Sequence, residues 1–191
     1  IGNISMGSVN PKLIIIFVAA VALLTYIKVS NPHQKYSTEA FWESATVDDV
    51  YLVPEEALQP NNKNGPVLMW AASVTNNPEI ISALLSRGVD VNEREIDFNA
   101  TALSAAAYQN TNSAIIDELV MHGAEVNITL GILKKSPLLL AAELNNSKVT
   151  ERLLFHGADP DYTDAHGRTA YSQAVKSENK AVIAIYEKMS K

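Results

Sequence analysis

Four histidines and two pairs of neighbouring carboxylates are the residues of this sequence whose types could do chemistry. His122 and His156 occupy the same slot, each directly before a glycine and an alanine. Imidazole can bind a metal ion or change its charge near neutral pH, so a metal-binding or pH-sensing pair is one interpretation. No carboxylate-histidine ligand motif accompanies the two residues, and their regular spacing favours a structural role.

The paired carboxylates Asp48-Asp49 and Glu55-Glu56 could act as a general acid and base, but solvated helix ends explain them more simply. The chain contains no HExxH or GxSxG motif, no phosphate-cradling glycine loop and no Rossmann fingerprint. It also has no cysteine, which excludes thiol nucleophiles, thiolate zinc sites and disulfides. The sequence therefore predicts a protein that is not an enzyme and that has no metal site and no cofactor.

The charges divide the 191 residues into two unlike parts. The first 38 residues contain Lys12, Lys28 and Lys35 but no acidic residue, whereas the rest hold 12 basic and 21 acidic side chains, a net charge of −9. This acidic balance argues against nucleic-acid binding. It favours a partner with a basic or amphipathic protein surface, and the asymmetry indicates that the two parts have different physical roles.

An uncharged run, LIIIFVAAVALLTYI at residues 13–27, lies in the first part between Lys12 and Lys28. Residues 1–29 are predicted to be an N-terminal signal-anchor whose transmembrane helix contacts the membrane through residues 13–29. Two alternatives are a cleaved signal peptide, which would leave a secreted or periplasmic protein, and a buried helix of the globular domain. The basic residues give no clear orientation, but a short head before a long domain favours export, which in a bacterium means a periplasmic domain.

Residues 30–40 are polar, contain Pro32 and are predicted to be a linker. After them, two phrases return every 33 to 35 residues, which indicates a repeat architecture. The first phrase occurs as PVLMWAA at 66–72, TALSAAA at 101–107, SPLLLAA at 136–142 and TAYSQAV at 169–175. The second phrase occurs as LLSRGVDVN at 84–92, LVMHGAEVN at 119–127 and LLFHGADPD at 153–161.

In these two phrases the chain resembles the ankyrin repeat family, whose consensus joins Gly-x-Thr-Pro-Leu-His-x-Ala-Ala to a second helix ending in Leu-Leu and then Gly-Ala-Asp-Val-Asn. The resemblance covers about residues 41–191. It implies an all-α solenoid of helix-turn-helix units with projecting β-hairpin tips. About three full units, at 61–95, 96–130 and 131–163, are expected between degenerate caps at 41–60 and 164–191, because end units must shield an apolar face.

The residue types agree with this register. Paired alanines let neighbouring first helices approach closely, and the apolar stripe that includes Leu119 has the spacing of a buried helix face. Gly88 and Gly157 follow predicted helix ends, where the left-handed conformation favours glycine. Lys134 stands where the family has glycine, and because lysine tolerates a positive φ less well, the tip around it is expected to be remodelled.

In this family, partners usually contact the hairpin tips and the exposed end of the first helix. The resemblance therefore assigns partner contacts to the equivalent positions of this chain. Large apolar residues in such surface slots suggest a contact that a partner buries, although some of them could instead fold inward. The candidate partner-binding residues are Lys63, Asp97, Phe98, Ile132, Leu133 and His166 on the tips, and Tyr108, Gln109, Glu143 and Leu144 on the first helices.

These features lead to one main hypothesis, a membrane-anchored ankyrin-repeat protein that binds a protein partner on the exported side. One specific form, by analogy alone, is an immunity protein that neutralises a toxin or effector. The alternative is a structural or assembly subunit of a larger membrane complex. A metal- or peroxide-stress accessory protein that uses His122 and His156 is a third possibility.

Overall fold

The computed structural model describes residues 34–59, 65–144 and 146–189. A short 3-10 helix spans Gln34–Ser37, and α-helices follow it through the rest of these ranges. None of the described helices is both long and apolar enough to cross a membrane, and the run 13–27 lies outside the described residues. The helices are α1 (Glu39–Ser44), α2 (Val47–Tyr51), α3 (Glu55–Leu58), α4 (Val67–Val74), α5 (Pro78–Ser86), α6 (Ala102–Gln109), α7 (Ala114–Met121), α8 (Pro137–Glu143), α9 (Ser147–Phe155), α10 (Ala170–Lys176) and α11 (Lys180–Met189).

Side-chain caps determine where α6, α8 and α10 begin, whereas α4 follows Pro66 and has no side-chain cap. The Thr101 N–H donates to Ser104 Oγ over 2.8 Å, and the Ser104 N–H donates to Thr101 Oγ1 over 3.3 Å. Thr169 forms the same capping box at the start of α10. Ser136 caps α8, whose first turn contains Pro137. These residues satisfy backbone donors that a helix start leaves without a partner inside the helix.

The second helix of each full unit ends at a glycine in the left-handed region, as the sequence predicts. Gly88, Gly123 and Gly157 have φ angles of +83°, +92° and +84°. A side-chain carbon placed on any of them would meet no atom within 4 Å. The backbone conformation, rather than a lack of space, therefore selects glycine at these positions.

Helices of successive units stack into one continuous core. The first helices form one layer, in which α4 packs on α6, α6 on α8 and α8 on α10. The second helices form the other layer, in which α5 packs on α7 and α7 on α9. The paired alanines lie fully buried between first helices, which confirms the close approach that their size predicts. The buried stripe on the second helices includes Ile80, Ile81, Leu84, Ile115, Ile116 and Leu119.

Asparagine side chains join neighbouring units by hydrogen bonds to the backbone. Asn110 Nδ2 donates to the carbonyl oxygens of Ala72 and Thr75 over 2.9 and 2.8 Å. Asn92 Nδ2 donates to Gly123 O over 3.0 Å, and its Oδ1 accepts the Glu125 N–H over 2.8 Å. Asn127 repeats this pair of bonds one unit later. The amides thus satisfy backbone groups that the turns between helices leave without partners.

The first unit differs in detail from the sequence prediction. Residues 34–40 of the predicted linker form the 3-10 helix and the start of α1, and Tyr36 is buried there. Its carbonyl oxygen accepts the Nε1–H of the fully buried Trp42 over 2.7 Å. Arg87 donates to the carbonyl oxygens of Val50 and Val53 over 2.6 Å each, which ties this unit to the next.

The last unit also differs from the polar cap that the composition of residues 174–191 suggests. Tyr171 and Val175, on α10, are exposed apolar side chains, and Tyr186 on α11 is half-buried. The outward side of the last described unit is therefore partly apolar.

Candidate functional site

An apolar groove of about 720 Å³ runs along one face of the array. Two projecting tips, at residues 95–100 and 130–135, form one side of it, and the first helices α6 and α8 form the other. Its apolar lining comes mainly from Phe98, Tyr108, Leu130, Ile132, Leu133 and Leu140. The groove therefore brings together side chains from two successive units.

The 95–100 tip is closed by a carboxylate. The Glu95 carboxylate accepts the N–H groups of Asp97 and Phe98, each over 2.8 Å. The Glu95 N–H donates to Ala100 O over 2.8 Å, and Asn99 adopts a φ of +61° to complete the turn. Asparagine tolerates this conformation better than most residues. The turn leaves the ring of Phe98 on the surface.

The 130–135 tip keeps the hairpin form although it has lysine in the glycine slot. Leu130 and Lys135 exchange backbone hydrogen bonds of 2.9 and 3.1 Å as an antiparallel bridge. Lys134 adopts a φ of +50°, and its carbonyl oxygen accepts the Tyr162 hydroxyl over 2.7 Å. The expected remodelling around Lys134 is thus wrong, because the bridge and the tyrosine hold the lysine in the left-handed region.

Backbone hydrogen bonds connect successive tips into a row. The Gly131 N–H donates to Phe98 O over 2.8 Å, and the Ala165 N–H donates to Leu133 O over 2.9 Å. In each bond the donor lies in one tip, and the acceptor is the carbonyl oxygen of a predicted apolar residue in the tip before it. The row fixes the distance between Phe98 and the tip that carries Ile132 and Leu133.

Asp164 organises the next tip, at residues 164–168. Its buried carboxylate accepts the N–H groups of His166 and Arg168 over 2.9 Å each and the Nε–H of Arg168 over 2.8 Å. Burial alone would raise the pKa of this carboxyl, but the hydrogen bonds from Arg168 and His166 outweigh it and hold the pKa at about 2. The sequence reasoning missed Asp164, although an aspartate three residues before a glycine is a typical turn signal.

The helix side of the groove is built on small residues. Ser104 and Ala105 of α6 line its floor, so the larger Tyr108 and Gln109 stand above them at the end of the helix. Gln109 Nε2 donates to Glu39 Oε1 over 2.9 Å, which connects this end of the groove to α1. Tyr108 is more than half exposed.

The structure brings together six of the ten predicted partner-binding residues. Asp97, Phe98, Tyr108, Gln109, Ile132 and Leu133 line the groove. All six are exposed, so none of them folds inward, although Leu133 is the least exposed of the large apolar ones. Leu130 and Leu140 complete the lining and were missed, because both lie outside the slots that the family resemblance marks.

The other four predicted residues lie elsewhere. Leu144 is exposed at the end of α8, and His166 is exposed on the 164–168 tip. Glu143 is half-buried and forms ion pairs with Lys135 at 2.6 Å and Arg168 at 3.5 Å. Its negative charge is therefore compensated within the chain. Lys63 lies outside the described residues.

His122 and His156 do not face one another across a shared site. His156 Nε2 lies 2.6 Å from Asp117 Oδ1, where Arg152 Nε also donates over 2.7 Å. Burial raises the pKa of Asp117, but the hydrogen bonds from Arg152 and His156 outweigh it and lower that pKa below its usual value. His122 Nδ1 instead lies 2.9 Å from Glu118 O within its own helix. Each histidine thus has a structural contact that its repeat position explains.

Comparison with known proteins identifies the repeats. A family model for ankyrin repeats, built of three copies, matches residues 48–129 and 103–190. Human ankyrin repeat and SOCS box protein 6 is 37% identical over 168 residues, which are 83% of this chain and 39% of that protein. An ankyrin repeat protein of fowlpox virus is 31% identical over 127 residues, which are 66% of this chain and 36% of that protein.

The match to one enzyme covers only a small part of that enzyme, so it gives no evidence for the same activity in this chain. A glycerophosphocholine phosphodiesterase of Eremothecium gossypii is 29% identical over 118 residues, which are 61% of this chain but only 8% of that enzyme. The chain also spans less than two fifths of the length of the human and fowlpox relatives. The repeats are what these proteins share with it. On the family match, the repeat register and the stacked helix pairs together, the chain belongs to the ankyrin repeat family.

Proposed function

We propose that this chain is a non-enzymatic protein-interaction module that binds its partner in the groove between the 95–100 and 130–135 tips. The observation that carries the proposal is the joint exposure of Phe98, Tyr108 and Ile132, which are 68%, 52% and 95% exposed and line one groove. A contiguous patch of large apolar side chains commonly marks a contact site. Ankyrin repeats are generally interaction modules, which supports the same conclusion.

Hydrogen bonds within the chain hold the backbone of the groove. The bond from Gly131 to Phe98 and the bridge between Leu130 and Lys135 hold the two tips in one arrangement. Binding then orders few backbone dihedrals, so most of the free energy from apolar burial remains available for affinity. Aromatic anchors such as Phe98 and Tyr108 add large contact areas through few rotatable bonds.

The charges around the groove favour a partner that is apolar at its centre and basic at its rim. The Lys135 ammonium lies 2.6 Å from the Glu143 carboxylate, so its charge is neutralised locally. Asp97 is exposed at the edge of the groove. The residues after the first 38 carry a net charge of −9, which attracts a basic surface and speeds encounter.

Replacing Phe98 and Tyr108 together by alanine should weaken binding of the natural partner by at least about tenfold, because both are candidate anchors in the groove. The partner would be captured with the full chain from cells that express it, and its affinity for purified variants would be measured by calorimetry. The free energy of unfolding should change by less than about 0.5 kcal/mol, since exposed side chains contribute little to stability.

A matched control replaces Met121 and Phe155, which are exposed on the second helices and do not line the groove. This control should bind the partner as the unmodified chain does. Loss of binding in the control but not in the Phe98 and Tyr108 variant would place the contact elsewhere and contradict the proposal. A loss of stability above about 2 kcal/mol in the groove variant would show that these rings belong to the core.

We also propose that residues 13–29 attach the chain to a membrane, with the repeat domain on the exported side, which in a bacterium is the periplasm. The support is the uncharged run at 13–27 between Lys12 and Lys28. The full chain should stay in the membrane fraction after an alkaline carbonate wash, whereas Ala20→Lys should release it, since a central lysine costs about 3 kcal/mol in a membrane helix. Recovery of the unmodified chain in the wash supernatant would contradict anchoring, and a shortened amino terminus would show signal cleavage.

Two roles at that membrane rest on the sequence alone. As an immunity protein, the chain would neutralise a toxin or effector, and cells that carry its gene would survive that toxin better than cells without it. As an assembly subunit, it would co-purify in detergent with a defined membrane complex. Absence of both results would leave the groove proposal standing and remove these two roles.

A further inference from the structure

Three of the polar side chains that line the groove are already engaged by other groups of the chain. The Ser104 hydroxyl donates to Thr101 O and accepts the Thr101 N–H, each over 2.8 Å, within the cap of α6. The Lys135 ammonium lies 2.6 Å from the Glu143 carboxylate. The Gln109 amide group donates to a carboxylate of α1 over 2.9 Å, which leaves its carbonyl oxygen as an acceptor. None of the three offers a partner an unpaired charge.

Asp97 differs from these residues, because its exposed carboxylate receives no hydrogen bond from any described residue. The N–H of Asp97 donates to Glu95 Oε1, so Glu95 closes the turn and Asp97 does not. A partner that covers the groove removes water from the Asp97 carboxylate. Since a carboxylate without water or a donor is strongly destabilised, the partner has to bring a donor to it.

The unpaired charge in the lining of the groove is therefore negative. Lys134 is the exposed basic residue of the neighbouring tip, but it does not line the groove. Lys135 does line it, and Glu143 balances its charge. A cationic side chain is the donor that matches Asp97, because a hydrogen bond between two charged groups is stronger than one between neutral groups.

Phe98 decides which cation fits better. It follows Asp97 in the chain, also lines the groove and exposes most of its side chain. A guanidinium group can donate two parallel hydrogen bonds to a carboxylate and can also stack on an aromatic ring, whereas an ammonium is a compact, strongly hydrated point charge. An acidic residue followed by an exposed ring thus favours arginine over lysine.

We propose that the groove takes a segment of a partner protein that places an arginine against Asp97 and Phe98 and apolar side chains against Tyr108 and Ile132. This contact presupposes the groove as the binding site and adds the chemistry that selects the partner. Asp97 is then the residue that determines specificity, because it penalises a partner that brings no cation. The apolar lining supplies affinity to any segment that fits.

The arginine has to come from a different protein. Each arginine of this chain already forms an ion pair with a carboxylate of the same chain, and they are Arg87, Arg94, Arg152 and Arg168. Residues 1–33 contain no arginine. A second copy of the chain would therefore have to break one of its own ion pairs, and the apolar run at 13–27 has no guanidinium to offer.

Peptides selected on the full chain test the arginine contact without knowledge of the natural partner. The full chain in lipid nanodiscs would be used to select binders from a phage library of random dodecapeptides. A peptide counts as groove-dependent if it fails to bind the chain in which Phe98 and Tyr108 are replaced by alanine, and circular dichroism checks that each variant is folded. The groove-dependent peptides should share an arginine beside an apolar residue.

A double-mutant cycle then measures the contact itself. Asp97→Asn should weaken binding of such a peptide at least about tenfold, as should glutamine in place of the peptide arginine, because either change removes the charged hydrogen bonds. The two changes together should weaken binding little more than one alone, since both remove the same contact. Lysine in place of the arginine should restore only part of the affinity.

Glu151→Gln is the matched control, because it removes an exposed carboxylate on α9 that does not line the groove. It should leave the affinity unchanged. Groove-dependent peptides without a basic residue, equal binding of lysine and arginine peptides, additive losses in the cycle, or an equal loss with Glu151→Gln would each overturn the arginine contact and leave the groove as the binding site. Failure to find any groove-dependent peptide would instead count against the groove, and the arginine contact would fall with it.

Discussion

Leu119→Ala should lower the free energy of unfolding by about 2–5 kcal/mol, the largest stability effect that we expect from a single substitution in this chain. Leu119 lies fully buried on α7, between the helices of the neighbouring units. Removing its three outer carbon atoms leaves a cavity in a core made of close-packed helices. Urea unfolding followed by circular dichroism measures the change.

Met121→Ala, two residues further along the same helix, is the matched control. Met121 is 76% exposed, so its replacement should change the free energy of unfolding by less than about 0.5 kcal/mol. Equal effects of the two substitutions would mean that α7 is rotated and that the repeat register described above is wrong. A linked loss of stability in the flanking units is expected with Leu119→Ala, because each unit is stabilised by its neighbours.

Asp164→Asn should cost about 2 kcal/mol of stability at neutral pH, and the cost should vanish in acid. The pKa of Asp164 is about 2 in the folded chain against 3.8 for an ordinary aspartate, and each unit of such a shift corresponds to about 1.4 kcal/mol. A lowered pKa contributes stability that is fully present above the unfolded value, near pH 4, and is lost as the pH falls through about 2. The difference between the two chains should therefore close between pH 4 and pH 2.

Urea unfolding of both chains between pH 2 and pH 7 measures this difference directly. Asp97→Asn, an exposed change on the 95–100 tip, serves as the control and should change the free energy of unfolding by less than about 0.5 kcal/mol. If the free energy of unfolding differed by the same amount between the Asp164→Asn and unmodified chains from pH 2 to pH 7, the carboxylate would contribute through its shape and not through its charge. The 164–168 tip donates to Leu133 O, so the substitution should also loosen the 130–135 tip.

The core could be predicted from the sequence because the repeat places equivalent residues at equivalent depths. The positions of Gly88 and Leu119 are each predicted by one local rule, glycine after a helix end and leucine on the buried stripe of a helix. Because the same residues recur in each unit, the rule is supported several times and not by a single occurrence. The same reasoning found Phe98 and Ile132 as surface residues. It could not show that they share a groove, because the contact between the two tips is a backbone bond from Gly131 to Phe98, which are distant in the sequence.

Polar contacts between units were harder to predict. Asn110 caps turns in the preceding unit, and Asp164 closes a tip that lies next to Leu133. The sequence favours a turn at Asp164, but nothing local to Asn110 or Asp164 shows which backbone groups of distant segments lie nearby. The expectation for Lys134 failed for a related reason: its unfavourable φ is held by Tyr162, 28 residues further along the chain.

Site-specific photo-crosslinking tests the central claim, that the groove is where this ankyrin-repeat chain binds its partner. A benzophenone amino acid would replace Ile132 in the groove and, in a second chain, Phe155 on the second helices, and each full chain would be irradiated in the cells that naturally contain it. The proposal predicts one defined crosslinked protein from position 132, absent when Phe98 and Tyr108 are also replaced by alanine, and no such product from position 155. The same product from both positions, or from position 155 alone, would contradict it.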